Sequence, residues 1–244
     1  MELKDKVAVV TGASGGIGRA IAIKLSEAGC KVALASRNIH KLQETAGELK
    51  HESLVVSMDV TDTESVQGAF EDIHREMGQI DILVNCAGVM PLTYLKNRHL
   101  EEWLQTIEVN VKGTLRCIHE ALPPMKVRKS GHIVNIASVD GKEIFKGGAV
   151  YGASKAAIIE LSRAMRMELS PEFNIRVTSI EPGTVATNLR DDITDQELLK
   201  DKDYSYENEP HLEPENIADA VFYAISQPDS VNVNELLIKP TGKA

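Results

Sequence analysis

A tyrosine and a lysine stand four residues apart in the segment Tyr151-Gly152-Ala153-Ser154-Lys155. In a helix, residues four apart share a face, so these two side chains can approach each other. An ammonium group beside a phenol favours the phenolate and lowers the pKa of the tyrosine from its ordinary value of about 10. The pair could then donate or accept a proton near neutral pH. Because this spacing is common in helices, its meaning depends on which other groups the fold brings to it.

A serine is the first such group. Ser138 follows the run His132-Ile133-Val134-Asn135-Ile136, whose apolar character predicts a buried strand. In open α/β sheets, ligands bind beyond the carboxyl ends of the strands. We therefore expect Ser138 at that edge, where its hydroxyl could form a hydrogen bond with a substrate oxygen.

A glycine-rich turn follows the first predicted strand, in the order Thr11-Gly12-Ala13-Ser14-Gly15-Gly16-Ile17-Gly18. Gly12 can take a tight turn, Gly16 lets the backbone approach a pyrophosphate, and Gly18 lets the next helix lie close to the sheet. The free N–H groups at the start of that helix then face the anion. The order strand, turn and helix favours a dinucleotide site, and a loop without a ligand is the alternative.

The elements that position these groups follow one rhythm along the chain. Short apolar runs alternate with helical spacings, and the runs occupy residues 7–10, 31–35, 54–58, 80–84, 132–136, 175–180 and 235–238. One helix is predicted to stop at Gly29, another to be closed by Pro171, and a later one to open near Pro214. The pattern predicts the α/β class, with residues 1–244 forming a single Rossmann-type, doubly wound domain around a seven-stranded parallel sheet flanked by helices. Residues 186–213 interrupt the rhythm with a long acidic segment, which is either a lid over the substrate or a disordered insertion.

The composition excludes several classes of protein. With 27 basic and 36 acidic residues the formal net charge is −9, which makes nucleic acid a poor partner. We see no apolar signal region and no apolar stretch of the ~20 residues that a membrane span needs, so we expect a cytoplasmic protein with no membrane partner. The three cysteines are odd in number and widely spaced, which predicts neither a disulfide framework nor a metal site.

The spacing of the glycine turn, T-G-x-x-x-G-x-G, resembles that of the short-chain dehydrogenase/reductase family. The resemblance covers nearly the whole chain through the landmarks Asp59, Asn85-Cys86-Ala87-Gly88, Asn110, Ser138, Tyr151, Lys155 and Pro182-Gly183. It implies an enzyme that transfers a hydride directly between nicotinamide C4 and a small carbonyl or alcohol substrate. The implied catalytic residues are Asn110, Ser138, Tyr151 and Lys155. Tyr151 would be the acid or base, Lys155 would also bind the nicotinamide ribose, and Asn110 would help to hold a water that links the lysine to solvent.

The family also implies a set of cofactor-binding residues. These are Gly12, Ser14, Gly16, Ile17, Gly18, Ser36, Arg37, Asp59, Val60, Asn85, Ala87, Gly88, Tyr151, Lys155, Pro182, Gly183, Val185 and Thr187. Asp59 would touch the adenine amino group, or it caps the next helix, or both. Cys86 departs from the family pattern, which has a second asparagine there; contact with the cofactor ribose at this position is through the backbone.

The second predicted strand ends in Ser36-Arg37, which bears on the choice of cofactor. An acidic residue at the position of Ser36 would bind a ribose 2′-hydroxyl and favour NAD, whereas an arginine accommodates a 2′-phosphate. Arg37 can pair with a phosphate through two parallel hydrogen bonds. We therefore predict NADP(H), with a solvated surface arginine as the alternative interpretation of Arg37.

The C-terminal segment 233–241, together with residues 180–184, resembles the subgroup that contains clavulanate-pathway aldehyde reductase and the NADP-dependent serine or 3-hydroxy-acid dehydrogenases. It implies an aldehyde, a ketone or a 3-hydroxy acid as substrate, in a pocket for which we expect contributions from Met90, Tyr94, Asp140, Phe145 and Leu189. A 3-oxoacyl-carrier-protein reductase and a non-catalytic NADP-binding sensor remain as alternatives. Family members commonly form tetramers through the helix that bears Tyr151 and the helix that starts near Asn110, so we expect a homo-oligomer, a tetramer or else a dimer.

Overall fold

The computed structural model describes residues 3–201 and 210–243. Seven strands form one sheet in the order β3-β2-β1-β4-β5-β6-β7, and every neighbouring pair is parallel. Their bounds are β1 Val7–Thr11, β2 Lys31–Ser36, β3 Ser53–Ser57, β4 Ile82–Asn85, β5 Gly131–Ile136, β6 Ile175–Pro182 and β7 Glu235–Ile238. The predicted Rossmann-type, doubly wound, seven-stranded parallel sheet in a single domain is thereby confirmed.

Helices cover both faces of this sheet, which is why its strands are apolar along their length rather than alternately. The helices are α1 Gly16–Glu27, α2 Ile39–Ala46, α3 Thr63–Met77, α4 Leu100–Ile107, α5 Thr114–Arg128, α6 Ala149–Phe173, α7 Gln196–Lys200 and α8 Pro214–Ser226. On one face, α1, α2 and α8 bury side chains such as Ile21, Leu42 and Val221. On the other, α3, α5 and α6 bury side chains such as Phe70 and Met125. The main core therefore lies in two layers, one on each side of the sheet.

The strand order reverses direction at β1, because β2 and β3 lie on one side of it and β4 to β7 on the other. The connections that leave the carboxyl ends of β1 and β4 therefore diverge and open a crevice between them, the usual ligand position in such sheets. The glycine turn after β1 and the loops after β4, β5 and β6 all start at this edge.

The structure corrects one prediction about a helix end and excludes one of the alternatives for Asp59. Pro171 was expected to close α6, but the helix continues through it to Phe173 and ends at Asn174, which has a left-handed φ of 50°. A proline in a helix removes one hydrogen bond, the one from its own N–H to the carbonyl four residues earlier, so the helix can continue past Pro171 for its last residues. Asp59 does not cap α3: its carboxylate accepts hydrogen bonds from the N–H (2.9 Å) and hydroxyl (2.8 Å) of Thr61. The cap is Asp62, which accepts from the N–H of Glu64 at 3.0 Å.

The acidic segment between β6 and α8 has more local structure than its sequence indicated. Val185 and Leu212 form a parallel bridge, a single helical turn spans Asn188–Arg190, and α7 follows. Of residues 186–213, expected to be either a lid or a disordered insertion, the structure describes residues 186–201 and 210–213, and residues 202–209 lie outside the described part of the chain.

No helix within residues 3–201 and 210–243 is both long enough and apolar enough to pass through a membrane.

Candidate active site

The glycine turn has a backbone that side chains would disrupt. Gly12 and Gly16 have φ values of 68° and 50°, in the left-handed region that favours glycine. A Cβ atom on Gly18 would lie 2.3 Å from the carbonyl oxygen of Gly12, so α1 can approach β1 this closely only without a side chain there. These are the requirements that the sequence predicted for the turn, and they leave the first N–H groups of α1 facing the crevice.

Thr11, the last residue of β1, joins this turn to the loop after β4. Its hydroxyl accepts the N–H groups of Cys86 and Ala87, each at 3.0 Å. A Cβ atom on Gly12 would lie only 2.9 Å from the Cα atom of Ala87. The two loops that flank the crevice are therefore held in contact. From the sequence, Thr11 was expected only as part of the glycine motif, because no local pattern around it indicates this contact across the sheet.

Tyr151 and Lys155 lie on one face at the start of α6, as their spacing predicted. The ammonium nitrogen of Lys155 is 5.7 Å from the centroid of the Tyr151 ring. It donates a hydrogen bond to the carbonyl oxygen of Ile136, the last residue of β5, at 2.9 Å. The pair is therefore anchored to the carboxyl end of a central strand, and both side chains are buried.

The predicted lowering of the pKa of Tyr151 is wrong for this site as it stands. Burial raises the pKa of the phenol well above its ordinary value, and the negative charge of Asp140 raises it further, while the nearby Ser138 hydroxyl acts in the opposite direction. Burial also lowers the pKa of Lys155 to about 8. The prediction counted the ammonium charge but not desolvation, which disfavours both charged forms. Tyr151 is thus held as a neutral phenol, a proton donor.

Ser138 stands between the end of β5 and a single helical turn, Val139–Gly141, whose first residues it caps. Its hydroxyl oxygen accepts the N–H of Asp140 at 3.1 Å, and its hydroxyl lies 3.4 Å from the carbonyl oxygen of Pro182. Its side chain is also near enough to the Tyr151 phenol and the Asp140 carboxyl group to lower the pKa of each. Three polar side chains therefore meet at one point.

A cavity of about 1130 Å³ runs along the crevice, a volume of the order that a dinucleotide and a small second ligand need. The predicted site residues line it, with the exceptions of Asn85 and Asn110. The Asn85 amide donates instead to Asn135 at 2.9 Å, within the sheet. Asn110 lies in a wide helical turn, Glu108–Gly113, between α4 and α5. Its side-chain oxygen accepts the N–H of Val89, and its side-chain nitrogen donates to the carbonyl oxygen of Val89 and to the hydroxyl of Ser154.

At one end of the cavity lie the groups expected near an adenosine. Ser36, Arg37 and Asp59 all line this end, and so does Lys41, which the sequence analysis missed. Partial burial acts to raise the pKa of Asp59, but the hydrogen bonds from Thr61 and the positive charges of Arg37 and Arg116 leave it below its ordinary value. Arg19 also lines the cavity, but Glu48 neutralises it through a two-point ion pair.

The other end of the cavity passes Tyr151 and Ser138 and opens between the loops after β4, β5 and β6. The five residues expected in a substrate pocket all line it: Met90, Tyr94, Asp140, Phe145 and Leu189. Leu92, Lys146 and Arg190 line it too and were not singled out from the sequence. Met90, Leu92, Tyr94 and Phe145 belong to an apolar cluster that includes Tyr151. Hydrophobic neighbours thus surround the phenol, which explains its strong desolvation.

The nicotinamide cofactor fits these residues. The turn from Gly12 to Gly18 forms a cradle that a Cβ at Gly18 would fill, and its N–H groups suit a diphosphate. Thr187 lies across the cradle, because a Cβ on Gly16 would come 3.1 Å from its methyl group. The cavity is continuous from this cradle to Tyr151 and Lys155.

Comparison with known proteins gives the family. The family model described as short chain dehydrogenase matches residues 6–198. An uncharacterized oxidoreductase from Staphylococcus saprophyticus is 40% identical over 244 residues, with 99% of this chain and 98% of that protein covered. The closed form of a serine dehydrogenase complexed with NADP+ has a TM-score of 0.89 and 32% identity, covering 98% of this chain and 96% of that one. An alcohol dehydrogenase from the archaeon Thermococcus sibiricus, complexed with 5-hydroxy-NADP, has a TM-score of 0.86 and 30% identity, covering 97% of each.

The chain belongs to the short-chain dehydrogenase family. It is an oxidoreductase that depends on NAD(P) and acts on small molecules.

Proposed function

We propose that this chain is an NADP(H)-dependent oxidoreductase that interconverts a small carbonyl compound and the corresponding alcohol. The observation that carries the proposal is the meeting of Ser138, Tyr151 and Lys155 on the wall of a cavity continuous with the glycine turn. A nucleotide-binding sensor would need the turn but no buried phenol and ammonium beside it.

The bound nicotinamide supplies or accepts the hydride, and the residues of this chain manage the proton and the substrate. Tyr151, held neutral by burial, donates its proton to the carbonyl oxygen during reduction. Ser138, at the same point of the cavity wall, positions that oxygen by a hydrogen bond. Lys155, with a pKa of about 8, is largely cationic at neutral pH, so it stabilises the phenolate that Tyr151 leaves behind. The apolar cluster of Met90 and Leu92 keeps bulk water away from the reacting atoms.

The preference for NADP(H) rests on charge. Arg37 and Lys41 line the adenosine end, and the position before Arg37 carries Ser36 rather than an acid that would repel a 2′-phosphate. Two positive side chains can neutralise a phosphate dianion, whereas a ribose 2′-hydroxyl offers them little. The NADP+ of the serine dehydrogenase complex and the 5-hydroxy-NADP of the alcohol dehydrogenase complex support the same choice.

Within small carbonyl and alcohol compounds, the candidate class is a carboxylate-bearing substrate such as a 3-hydroxy acid or its 3-oxo form. Lys146 and Arg190 line the substrate end together with the acidic residues Asp140, Glu143, Asp192 and Asp201, and either cation could pair with a carboxylate there. The similarity to a serine dehydrogenase, whose named substrate is a 3-hydroxy acid, supports this class.

A screen of NADPH consumption over aldehydes, ketones and 3-oxo acids tests the proposal, with NADH in parallel. We expect turnover by the wild type and, for Tyr151→Phe, a loss of the order of 10²–10⁴-fold in kcat, as for removal of a direct proton donor. Thermal unfolding of the variant serves as the control for folding. Full activity in Tyr151→Phe, or turnover by neither nucleotide with any carbonyl compound, would contradict the proposed function.

A further inference from the structure

We propose that Lys142 is a positioning residue for the reaction, because its ion pairs with Glu181 on β6 and Glu235 on β7 tie down the turn that carries Ser138. These two ion pairs are called the Lys142 tether below. The inference rests on the proposed function, since it concerns how Ser138 is held where Tyr151 delivers its proton. It assigns a role in the reaction to three charged side chains that do not line the cavity.

Glu181 is a buried acid in the middle of the fold. It is the last residue but one of β6, and its side chain is fully buried. Burying an ionised carboxylate is unfavourable unless an opposite charge and hydrogen bonds compensate for the lost water. Its Oε1 atom accepts the hydroxyl of Ser179 at 3.2 Å, and its Oε2 atom lies 2.7 Å from the Nζ atom of Lys142. Glu181 therefore relies on a cation that reaches it from the loop after β5.

The same ammonium group also pairs with β7. The Nζ atom of Lys142 donates to Oε2 of Glu235 at 2.8 Å. Glu235 is paired in register with Ser179, and side chains two apart on a strand share a face, so both carboxylates project from one face of the sheet. One cation thus bridges two like charges that would otherwise repel each other. Partial burial acts to lower the pKa of Lys142, but the two carboxylates leave it above its ordinary value, so the ammonium stays charged at neutral pH.

The turn from Ser138 to Lys142 is short and is held at both ends. Within it, the N–H of Gly141 donates to the carbonyl oxygen of Ser138 at 3.1 Å. At its start, the serine hydroxyl donates to the carbonyl oxygen of Pro182 at 3.4 Å, and Pro182 directly follows Glu181 in the chain. The end of β6 therefore holds one end of the turn through a backbone carbonyl and the other through the Glu181 side chain.

The turn also packs against α6, the helix that carries Tyr151. A Cβ atom on Gly141 would lie only 2.9 Å from the backbone nitrogen of Ala156. Because the turn lies between α6 and β6, the Lys142 tether fixes how far Ser138 stands from Tyr151. A substrate oxygen must reach both hydroxyl groups at once, and a misplacement of about 1 Å costs on the order of 10²-fold in rate.

Arg163 on α6 belongs to the same group of charges but holds a different part of it. Its Nε atom pairs with Glu235 at 2.8 Å, and it also forms an ion pair with Glu160 on its own helix. Among the described residues, these ion pairs join α6 to β7 and to itself, and they do not reach the turn that carries Ser138. Arg163 therefore separates a general effect of charge from the specific effect of Lys142.

The test measures kcat with the carbonyl substrate found in the screen, and Kd for NADPH, in Lys142→Met and Lys142→Arg. Methionine keeps much of the length of lysine but removes the charge. We expect kcat to fall about 10-fold to 100-fold in Lys142→Met, with Kd for NADPH changed less than about threefold, because the tether positions the serine and not the glycine turn. Lys142→Arg should retain most of the activity, since a guanidinium group can pair with the same two carboxylates.

A double variant separates positioning from stability. Lys142→Met alone leaves the Glu181 carboxylate unpaired in the interior, which also destabilises the fold. In Lys142→Met with Glu181→Gln both charges are gone, so the midpoint of thermal unfolding should recover toward that of the wild type. Its kcat should stay as low as in Lys142→Met, and amide hydrogen exchange of residues 139–143 should be faster than in the wild type, because the turn is no longer tied to β6. If Lys142→Met alone does not fold, the double variant makes the comparison.

Arg163→Met is the matched control and should keep the kcat and the hydrogen exchange of the wild type. The proposal would be overturned by a wild-type kcat in the double variant, which includes a kcat that recovers together with the unfolding midpoint. An equal loss in Arg163→Met, or an equal loss in Lys142→Arg and Lys142→Met, would overturn it too. In each of those cases an inactive Tyr151→Phe leaves the proposed function standing. An active Tyr151→Phe contradicts the proposed function, whereas hydrogen exchange of residues 139–143 still reports on the tether itself.

Discussion

The buried carboxylate of Asp195 accepts the backbone N–H of Tyr94 at 2.9 Å and so fastens the segment after β6 to the loop after β4. It also accepts the amide of Asn97 at 3.0 Å and the N–H groups of Glu197 and Leu198 at 3.0 and 3.2 Å. One side chain thus caps α7 and holds it over the substrate end of the cavity. Leu198 is fully buried against the cluster that contains Tyr151, so the cap helps to build the pocket wall.

Asp195→Ala should loosen this wall and weaken substrate binding. Each hydrogen bond to an ionised group contributes at most about 1.5–3 kcal/mol of stabilising free energy. The loop recovers part of this loss by rearranging. We expect KM for the carbonyl substrate to rise about tenfold or more, which is about 1.4 kcal/mol, with the Kd for NADPH little changed. Steady-state kinetics and nucleotide titration measure the two quantities separately.

Glu197→Ala is the control for Asp195→Ala, because Glu197 lies on the same helix and, among the described residues, its side chain forms exposed contacts with Lys96 and Asn97. Its KM should stay close to that of the wild type. If Asp195→Ala left KM unchanged, or if Glu197→Ala raised it equally, α7 would not be part of the substrate site.

The features predictable from the sequence are those that depend on local spacing. The alternation of apolar runs gives all seven strands, and the strand–turn–helix order around Gly12 to Gly18 gives the phosphate cradle. The clamp by Asp195 was not predictable, because its partners Tyr94 and Asn97 lie far away along the chain and no local pattern joins them. The prediction for the pKa of Tyr151 was wrong for a related reason, because the direction of the shift depends on desolvation by residues from several loops.

Arg37→Ala should change the choice of cofactor. Arg37 lines the adenosine end and faces Asp59, so its removal takes away positive charge where a 2′-phosphate would bind. A hydrogen-bonded pair with a charged group contributes about 1.5–3 kcal/mol, so kcat/KM for NADPH should fall by about 10-fold to 100-fold. The value for NADH should change less than about threefold.

Arg19→Ala is the matched control for Arg37→Ala, because Arg19 also lines the cavity but is neutralised by Glu48. In this variant, the ratio of kcat/KM for NADPH to kcat/KM for NADH should stay near that of the wild type. A wild type that prefers NADH, or an Arg37→Ala variant that loses both cofactors equally, would contradict the proposed role of the arginine.

Gly18→Ala should destabilise the nucleotide-free protein itself. Its Cβ atom would stand 2.3 Å from the carbonyl oxygen of Gly12, a backbone atom that cannot rotate away. Forcing α1 from the sheet costs at least about 1–3 kcal/mol of unfolding free energy, the range found for overfilled cores. Urea unfolding without nucleotide measures the change, and binding of NADPH should weaken as the cradle distorts.

Gly15→Ala supplies the control for that measurement. Gly15 has a φ of 174°, an extended backbone that any residue adopts, and nothing lies within 4 Å of an added Cβ. Its unfolding free energy should equal or slightly exceed that of the wild type. Equal destabilisation in both variants would mean that flexibility, rather than the close approach at Gly18, makes the turn require glycine.

His132 should make the fold sensitive to acid. Its ring is fully buried on β5, with one nitrogen paired to the hydroxyl of Thr178 at 2.8 Å and the other without a hydrogen-bond partner among the described residues. Burial, with a smaller effect of Arg176, lowers its pKa from 6.5 to about 3. Because the unfolded chain binds the proton more readily, this stabilising contribution is complete above about pH 6.5 and is lost as the pH falls toward 3. At pH 5 the loss relative to pH 7 is about 2 kcal/mol, at 1.36 kcal/mol per pH unit below the unfolded pKa.

His132→Gln removes this titration while it can keep a hydrogen bond to Thr178, so its unfolding free energy should fall by about 2 kcal/mol less than that of the wild type between pH 7 and pH 5. Urea unfolding at the two pH values checks the difference. His119→Gln, an exposed histidine on α5, should leave the wild-type pH dependence intact. If the unfolding free energies of the wild type and His132→Gln fell equally between pH 7 and pH 5, the acid sensitivity would have to come from groups other than the buried imidazole. The desolvated ring is the feature that distinguishes the two proteins.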